Sequence, residues 1–288
     1  MTNLIAIDLD GTLLSHENTI SSENIKALDY AHQQGVMIVI ATGRSYHDVK
    51  NILNEYSLPI NPWIISANGS TIHHPNGEKV HSVPIDKKTA EPILKWLEDE
   101  GYYYEVFADN RLLTPQHGRD ILSKEADRLR KENPSIKEED IERALATQYS
   151  QTGFEFVSSY QDIISYDADL YNILAFSFHD EKLNRGKENF NALEGLNIVS
   201  SGKHNFEFIH ENASKGKALE KLGEIIQIPL LKMAAVGDNY NDISMLTMVG
   251  RSAAMGNADD AVKEKAHEVT LENHEHGVAH FIYRLLKK

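Results

Sequence analysis

The chain has 288 residues, 41% hydrophobic and 25% charged, the make-up of an ordinary globular protein with one large or two modest domains. Its formal charge of −14 disfavours nucleic acid and anionic membrane as partners, and the lack of cysteine excludes disulfides, thiolate zinc sites and thiol nucleophiles. No apolar run approaches the roughly 20 residues of a membrane span and the N-terminus has no basic leader, so the expectation is a cytoplasmic protein.

The first element is Leu4-Ile5-Ala6-Ile7-Asp8-Leu9-Asp10-Gly11-Thr12-Leu13-Leu14. Its short, continuous apolar run predicts a strand buried on both faces of a parallel sheet. Gly11 permits a sharp turn at the strand's end. Asp8 and Asp10 then leave the carboxyl end together, where ligands bind in open α/β sheets. Two apart on a strand, they face the same way, and two close anions need a cation or a shared proton. That predicts a divalent metal site beside a nucleophilic carboxylate. The alternative is a pair of solvated aspartates in a βα turn.

Ser21 or Ser22 caps the next helix, Ile25, Leu28 and Ala31 form its apolar stripe, and Gly35 ends it. Val36 to Ala41 is a second buried strand, running into Thr42-Gly43-Arg44. A helix with Val49, Ile52, Leu53 and Tyr56 on one side follows, then a third strand, Trp63 to Ser66, ending at Ala67-Asn68-Gly69. This alternation is that of a parallel sheet with right-handed crossovers. Residues 70–74 and 79–83 form a hairpin around Asn76-Gly77.

Beyond Pro84 the rhythm changes. A helix over 87–100 precedes strands over 102–108 and 112–114, joined at Asp109-Asn110. The charged stretch 118–148 reads as solvated surface helices broken near Pro134. A strand over 172–179, a helix over 181–193 and a hairpin of 198–201 with 205–210 complete what looks like an inserted α+β domain. The first pattern resumes with a helix over 214–227 and a buried strand, Met233 to Val236, ending in Gly237-Asp238-Asn239. A helix over 243–249, short strands over 252–255 and 269–271, and helices over 259–266 and 277–286 finish the chain.

Four polar clusters fall at strand ends or helix starts: Asp8 with Asp10, Thr42-Gly43, Ser214-Lys215-Gly216, and Gly237-Asp238-Asn239-Tyr240-Asn241-Asp242. Each alone is a weak signal. Together they make a phosphate site with a carboxylate nucleophile, a metal-binding carboxylate cluster, hydroxyl and backbone N–H donors, and a lysine. His73-His74 and His274-Glu275-His276 fit no metal-ligand spacing, and Tyr102-Tyr103-Tyr104 reads as alternating strand packing.

With these motifs the whole chain resembles the haloacid dehalogenase superfamily, specifically its Cof-type phosphatases. Asp8-Leu9-Asp10-Gly11-Thr12-Leu13, Ala41-Thr42-Gly43-Arg44, Ala67-Asn68-Gly69, Ser214-Lys215-Gly216 and Gly237 through Leu246 carry the likeness. Only 34 residues separate Asp8 from Thr42, but 173 separate Thr42 from Lys215, so the insertion matches that family's second kind of cap. The resemblance implies an α/β fold: a Rossmann-like doubly wound core of residues 1–83 and 211–288, with a mobile cap over 84–210 that closes on the site.

It also implies a mechanism. Asp8 attacks phosphorus to form an aspartyl-phosphate, while Asp10 protonates the leaving alcohol and then activates water. Mg²⁺ is bound by the Asp8 carboxylate, the Asp10 backbone carbonyl and Asp238. Asp242 orients Asp238 or a metal-bound water, or coordinates weakly. Leu9 N–H, Thr42, Gly43 N–H, Lys215 and Asn241 hold the phosphoryl oxygens, and Arg44 and Asn68 lie near enough in sequence to touch substrate. The expected partner is a small phosphorylated metabolite (a sugar phosphate, a nucleotide or flavin-pathway intermediate, or pyridoxal phosphate), with no nucleic acid, membrane or obligate protein partner. The alternatives are a phosphomutase using the same intermediate, and a non-catalytic sensor of phosphometabolites.

Overall fold

The computed structural model describes residues 2–56, 58–109, 111–132, 137–149 and 153–287. Contacts divide the chain into two units, Met1–Ser82 with Asn212–Lys288, and Val83–Glu211. The first unit begins β1 (Leu4–Ile7), α1 (Ser22–Gln33), β2 (Met37–Ala41), α2 (Tyr46–Glu55), β3 (Trp63–Ser66), β4 (Thr71–His73) and β5 (Lys79–Ser82). The second holds α3 (Lys87–Asp99), β6 (Tyr103–Ala108), β7 (Arg111–Pro115), α4 (Gly118–Glu132), α5 (Glu138–Tyr149), β8 (Phe154–Val157), α6 (Tyr160–Ser165), β9 (Leu170–Phe176), α7 (Asp180–Asn189), β10 (Leu196–Val199) and β11 (Asn205–His210). The first unit resumes with α8 (Lys215–Ile226), β12 (Met233–Gly237), α9 (Ile243–Met248), β13 (Arg251–Ala254), α10 (Asp260–Lys263), β14 (Glu268–Val269) and α11 (Gly277–Leu286).

The first unit's sheet runs β14-β13-β12-β1-β2-β3-β4-β5, parallel from β14 to β3 and antiparallel over the last two pairings. All of β1 is buried because its two faces are both covered. Ile5 and Ile7 pack with residues of α1, α2 and α11, whereas Leu4 and Ala6 pack with residues of α8 and α9. Continuous apolar strands are what this sandwiching demands. Ser21 caps α1 by accepting from Asn24 N–H at 3.2 Å, and Ser214 caps α8 through Lys217 N–H at 3.1 Å. From β1 the chain winds outward through β2 and β3, and after the insertion it continues on the other side through β12, β13 and β14. The direction reverses between β1 and β12, a topological switch point.

The second unit's sheet runs β10-β11-β9-β6-β7-β8, antiparallel except for β7 with β8. The tyrosine run alternates as expected. Tyr102 and Tyr104 join one apolar cluster with Phe206 and Phe208, while Tyr103 joins another with Leu174 and Phe176. The reading of 118–148 as solvated surface is corrected: Leu122, Ala126 and Ile141 are buried in that second cluster, because a sheet with two apolar faces needs a second cover. Strand β8 and helix α6 were not anticipated. Both are short, and much of β8 is only half-buried, so periodicity is weak there. The break near Pro134 and residue Asn110 lie outside the described residues. No helix among the described residues is long and apolar enough to cross a membrane.

The histidines of the first hairpin pack against aromatic rings. His73 stacks on Tyr46 at 3.9 Å between centroids, and His74 meets Trp63 edge-on. Burial, aided by Lys79 and His47 and opposed by a backbone hydrogen bond at Gly77, lowers the His73 imidazole to about 4. The unfolded chain therefore binds a proton that the folded chain refuses between about 6.5 and about 4, and stability falls as pH falls through that window. His73→Phe keeps the stacked ring and removes this proton. In urea melts at pH 7 and 4.5, the variant should lose about 2 kcal/mol less than the parent on acidification. Identical acid losses would overturn the assignment.

Candidate active site

At the switch point the ends of β1 and β12 are neighbours, and Asp8 and Asp238 each follow the last residue of their strand. Asp242 lies in the single turn after β12, in a stretch with no room behind it, since a Cβ on Gly237 would meet its carboxylate carbon at 2.5 Å. One carboxylate oxygen from each of Asp8, Asp238 and Asp242 falls within 4.8 Å of the others. Lys215, the first residue of α8 and only 1% exposed, reaches between two of them: Nζ donates to Asp8 Oδ1 at 2.6 Å and to Asp242 Oδ1 at 2.6 Å. The other Asp242 oxygen accepts the N–H groups of Asp238 and Asn239, both at 3.0 Å. Thr12 Oγ1 donates to Asp238 Oδ1 at 3.0 Å.

Three carboxylates around one ammonium leave an excess of two negative charges in a buried space. Burial above all, then Asp242, pushes the Asp8 carboxyl well above the usual carboxylate range; Lys215 pulls it back, and Asp238 and Asp10 add to the push. Asp238 is raised for the same leading reasons, burial and Asp242, against the pull of the Thr12 hydroxyl and Lys215. Burial alone would lower the Lys215 ammonium, but Asp242 and Asp8 outweigh it and hold it above the ordinary lysine value.

Asp10 does not share a strand face with Asp8, and that part of the expectation is corrected. The strand stops at Ile7, and the chain turns at Gly11 with φ +76°, where a Cβ would collide with the Asp238 carboxylate. The Asp10 side chain, 45% exposed, is gripped by Arg44, which donates from Nε at 2.8 Å and Nη2 at 2.7 Å. Arg44 also donates from Nη1 to the buried Asp48 at 2.5 Å. Burial tends to lower the Arg44 guanidinium, yet Asp10 and Asp48 together raise it.

The remaining predicted residues gather on the same strand ends. Leu9 is buried in the turn after Asp8. Thr42 and Gly43 follow β2, and Thr42 Oγ1 accepts the Arg44 N–H at 3.2 Å. Asn241 donates its amide to Asn68 Oδ1 at 2.9 Å. Ala67, Asn68 and Gly69 all hold left-handed φ values of 48°, 55° and 96°, a strained turn that brings the Asn68 side chain to this position. Sequence reasoning missed the grip of Arg44 on Asp10, the Thr12 contact and Asn257, whose amide donates to the Gly11 carbonyl at 2.9 Å. Asn257 carried one usable signal. It follows Gly256 just after a short apolar strand, as Asp238 follows Gly237.

A doubly wound sheet with this carboxylate and lysine cluster at its switch point is the architecture of a hydrolase acting on phosphate. A family model of haloacid dehalogenase-like hydrolases matches residues 5–282, and the chain belongs to that family, as a phosphatase. It is 48% identical over 285 residues to the phosphatase YwpJ of Bacillus subtilis, covering 98% of this chain and 99% of that one. It is 38% identical over 282 residues to the 5-amino-6-(5-phospho-D-ribitylamino)uracil phosphatase YwtE of the same organism, covering 98% and 97%. A solved haloacid dehalogenase-like hydrolase from B. subtilis superposes with a TM-score of 0.87 at 48% identity, over 99% of this chain and 100% of the other.

Proposed function

We propose that this chain hydrolyses small phosphate monoesters in a Mg²⁺-dependent reaction through an aspartyl-phosphate on Asp8. The observation that carries the reading is the buried cluster of Asp8, Asp238 and Asp242 with its single ammonium, Lys215. The donor set fits a hard divalent cation: oxygen ligands only, with an uncompensated negative charge that a small ion relieves. Asp8, Asp238 and the Asp10 carbonyl would hold Mg²⁺, and Asp242, whose two oxygens are already engaged, orients its neighbours. When bound, the ion lowers the repulsion between the Asp8 carboxylate and an incoming phosphate.

In this reading an Asp8 carboxylate oxygen attacks phosphorus in line, and the bond to the leaving oxygen breaks. Asp10 gives that oxygen its proton, then takes one from the water that attacks the aspartyl-phosphate and restores the Asp8 carboxylate. Lys215 keeps a third N–H, and the Asn241 amide a second one, for the phosphoryl oxygens. The N–H groups of Leu9 and Gly43 and the Thr42 hydroxyl complete the donors. YwtE, named for a phosphorylated ribitylaminouracil, supports a small phosphorylated metabolite as the substrate class.

The test is phosphate release from a panel of sugar phosphates, nucleotides, flavin-pathway intermediates and pyridoxal phosphate. Turnover with Mg²⁺ should fall to background on chelation and return with the ion. Turnover that persists in chelator would overturn the metal assignment, and product containing an isomerised phosphate ester in place of free phosphate would overturn hydrolysis in favour of phosphoryl transfer.

A further inference from the structure

The Asp10 side chain is exposed although the turn around it is buried, so packing does not hold the carboxylate. Arg44 grips the carboxylate, but that grip has to yield when Asp10 serves the leaving oxygen. What persists is the support beneath the turn. Three side-chain amides from three separate segments donate to its carbonyls: Asn257 Nδ2 to Gly11 O at 2.9 Å, Asn24 Nδ2 to Leu13 O at 3.5 Å, and Asn273 Nδ2 to Leu14 O at 3.0 Å. Asn257 is the one that holds the residue next to Asp10.

The chemistry at Asn257 admits an amide and little else. Its Oδ1 accepts the N–H of Asn273 at 2.9 Å, which fixes the orientation of the amide and turns Nδ2 to Gly11. Aspartate there would set a carboxylate against a carbonyl oxygen. A lysine or arginine would bring a charge and lose the acceptor. The contact also spans 246 positions of sequence, and it ties the turn to the loop after β13, on the side of the sheet that carries Asp238. Asn257 anchors the Gly11–Thr12 peptide and Thr12 Oγ1 is bonded to Asp238, so the residues immediately after Asp10 are held from two sides and the freedom of the Asp10 backbone is limited by them.

We infer that Asn257 is a positioning residue for Asp10: by holding the Gly11 carbonyl it aims the acid–base carboxyl at the leaving oxygen. The inference rests on the role proposed for Asp10 above. Its signature is a dependence on the leaving group. A good leaving group departs without a proton, whereas an alkoxide needs one, so misaiming the acid slows only the second.

The experiment compares kcat/KM with Mg²⁺ across monoesters graded by leaving-group pKa, from p-nitrophenyl phosphate to simple alkyl phosphates. The proteins are the parent, Asn257→Ala, Asn257→Asp and Asp10→Asn. Both Asn257 variants should lose on the order of 10- to 100-fold on alkyl phosphates and less than about 3-fold on p-nitrophenyl phosphate. Asp10→Asn should show the same trend with a steeper slope. Losses by the Asn257 variants that are equal across the series would overturn the inference, as would no loss at all. A flat response from Asp10→Asn would instead remove the premise that Asp10 is the acid, which separates the two failures. If Asn257→Ala does not fold, Asn257→Asp carries the same comparison at unchanged volume.

Discussion

Asp8→Asn abolishes phosphate release and, in chelator, makes the folded chain more stable. The amide has the shape of the carboxylate and keeps an oxygen for Lys215, but it has no lone-pair charge with which to attack phosphorus. The expected loss in kcat is at least about 10⁴-fold. The stability effect has the opposite sign because of the order of the forces on this group. Burial and Asp242 act against its charge more strongly than Lys215 acts for it. A carboxyl raised above its ordinary value contributes stability at low pH that is lost as pH rises, so ionising this group costs the folded wild type stability. Neutralising it by substitution should raise the melting temperature in chelator at pH 7.5 by about 5 °C. Mg²⁺ should raise the melting temperature of the wild type and do less for the variant. Turnover that survives the substitution overturns the nucleophile, and a variant less stable than its parent in chelator overturns the account of charge crowding.

The order of elements was legible because the signals were local. β1, β2, β3 and β12 are apolar runs that stop at glycine or a small polar residue, and a strand covered on both sides needs nothing more. The inserted stretch was read from the break in rhythm at Pro84 and its return at Ser214. Asp8, Asp238 and Lys215 were legible for the same reason, each standing at the end or start of an element. Asp10 was not. Its reading assumed that the strand's two-residue period runs on, whereas the left-handed turn at Gly11 ends it, and its partner, Arg44, lies 34 positions away. The burial of Leu122 and Ile141 was hidden because a charged helix shows its covered side only once the sheet beneath it is known. Asn257 and Asn273 were invisible for a related reason. A neutral amide in a loop acquires meaning only from the carbonyl opposite it, and no spacing encodes that contact.

Lys215→Met should change stability in the opposite direction to Asp8→Asn. Methionine nearly matches the apolar stem in length and packs readily, so the change removes the charge more than the volume. What remains is Asp8 and Asp242, both buried, each stripped of an ammonium at 2.6 Å. Removing one partner of a buried ion pair costs about 3–5 kcal/mol, which in a chain of this size is on the order of a 10 °C fall in melting temperature in chelator. Turnover should fall at least about 10²-fold, since a donor to the phosphoryl group is lost as well. Mg²⁺ supplies charge to the same carboxylates, so it should restore part of the stability without restoring turnover. Adding Asp8→Asn to Lys215→Met closes a thermodynamic cycle. If the carboxylates crowd one another, the double variant is more stable in chelator than Lys215→Met alone, because it has one fewer buried anion to leave unpaired. Equal melting of Lys215→Met and wild type would mean that the three carboxylates do not share one electrostatic problem, and the argument that a divalent cation completes this cluster would fail with it.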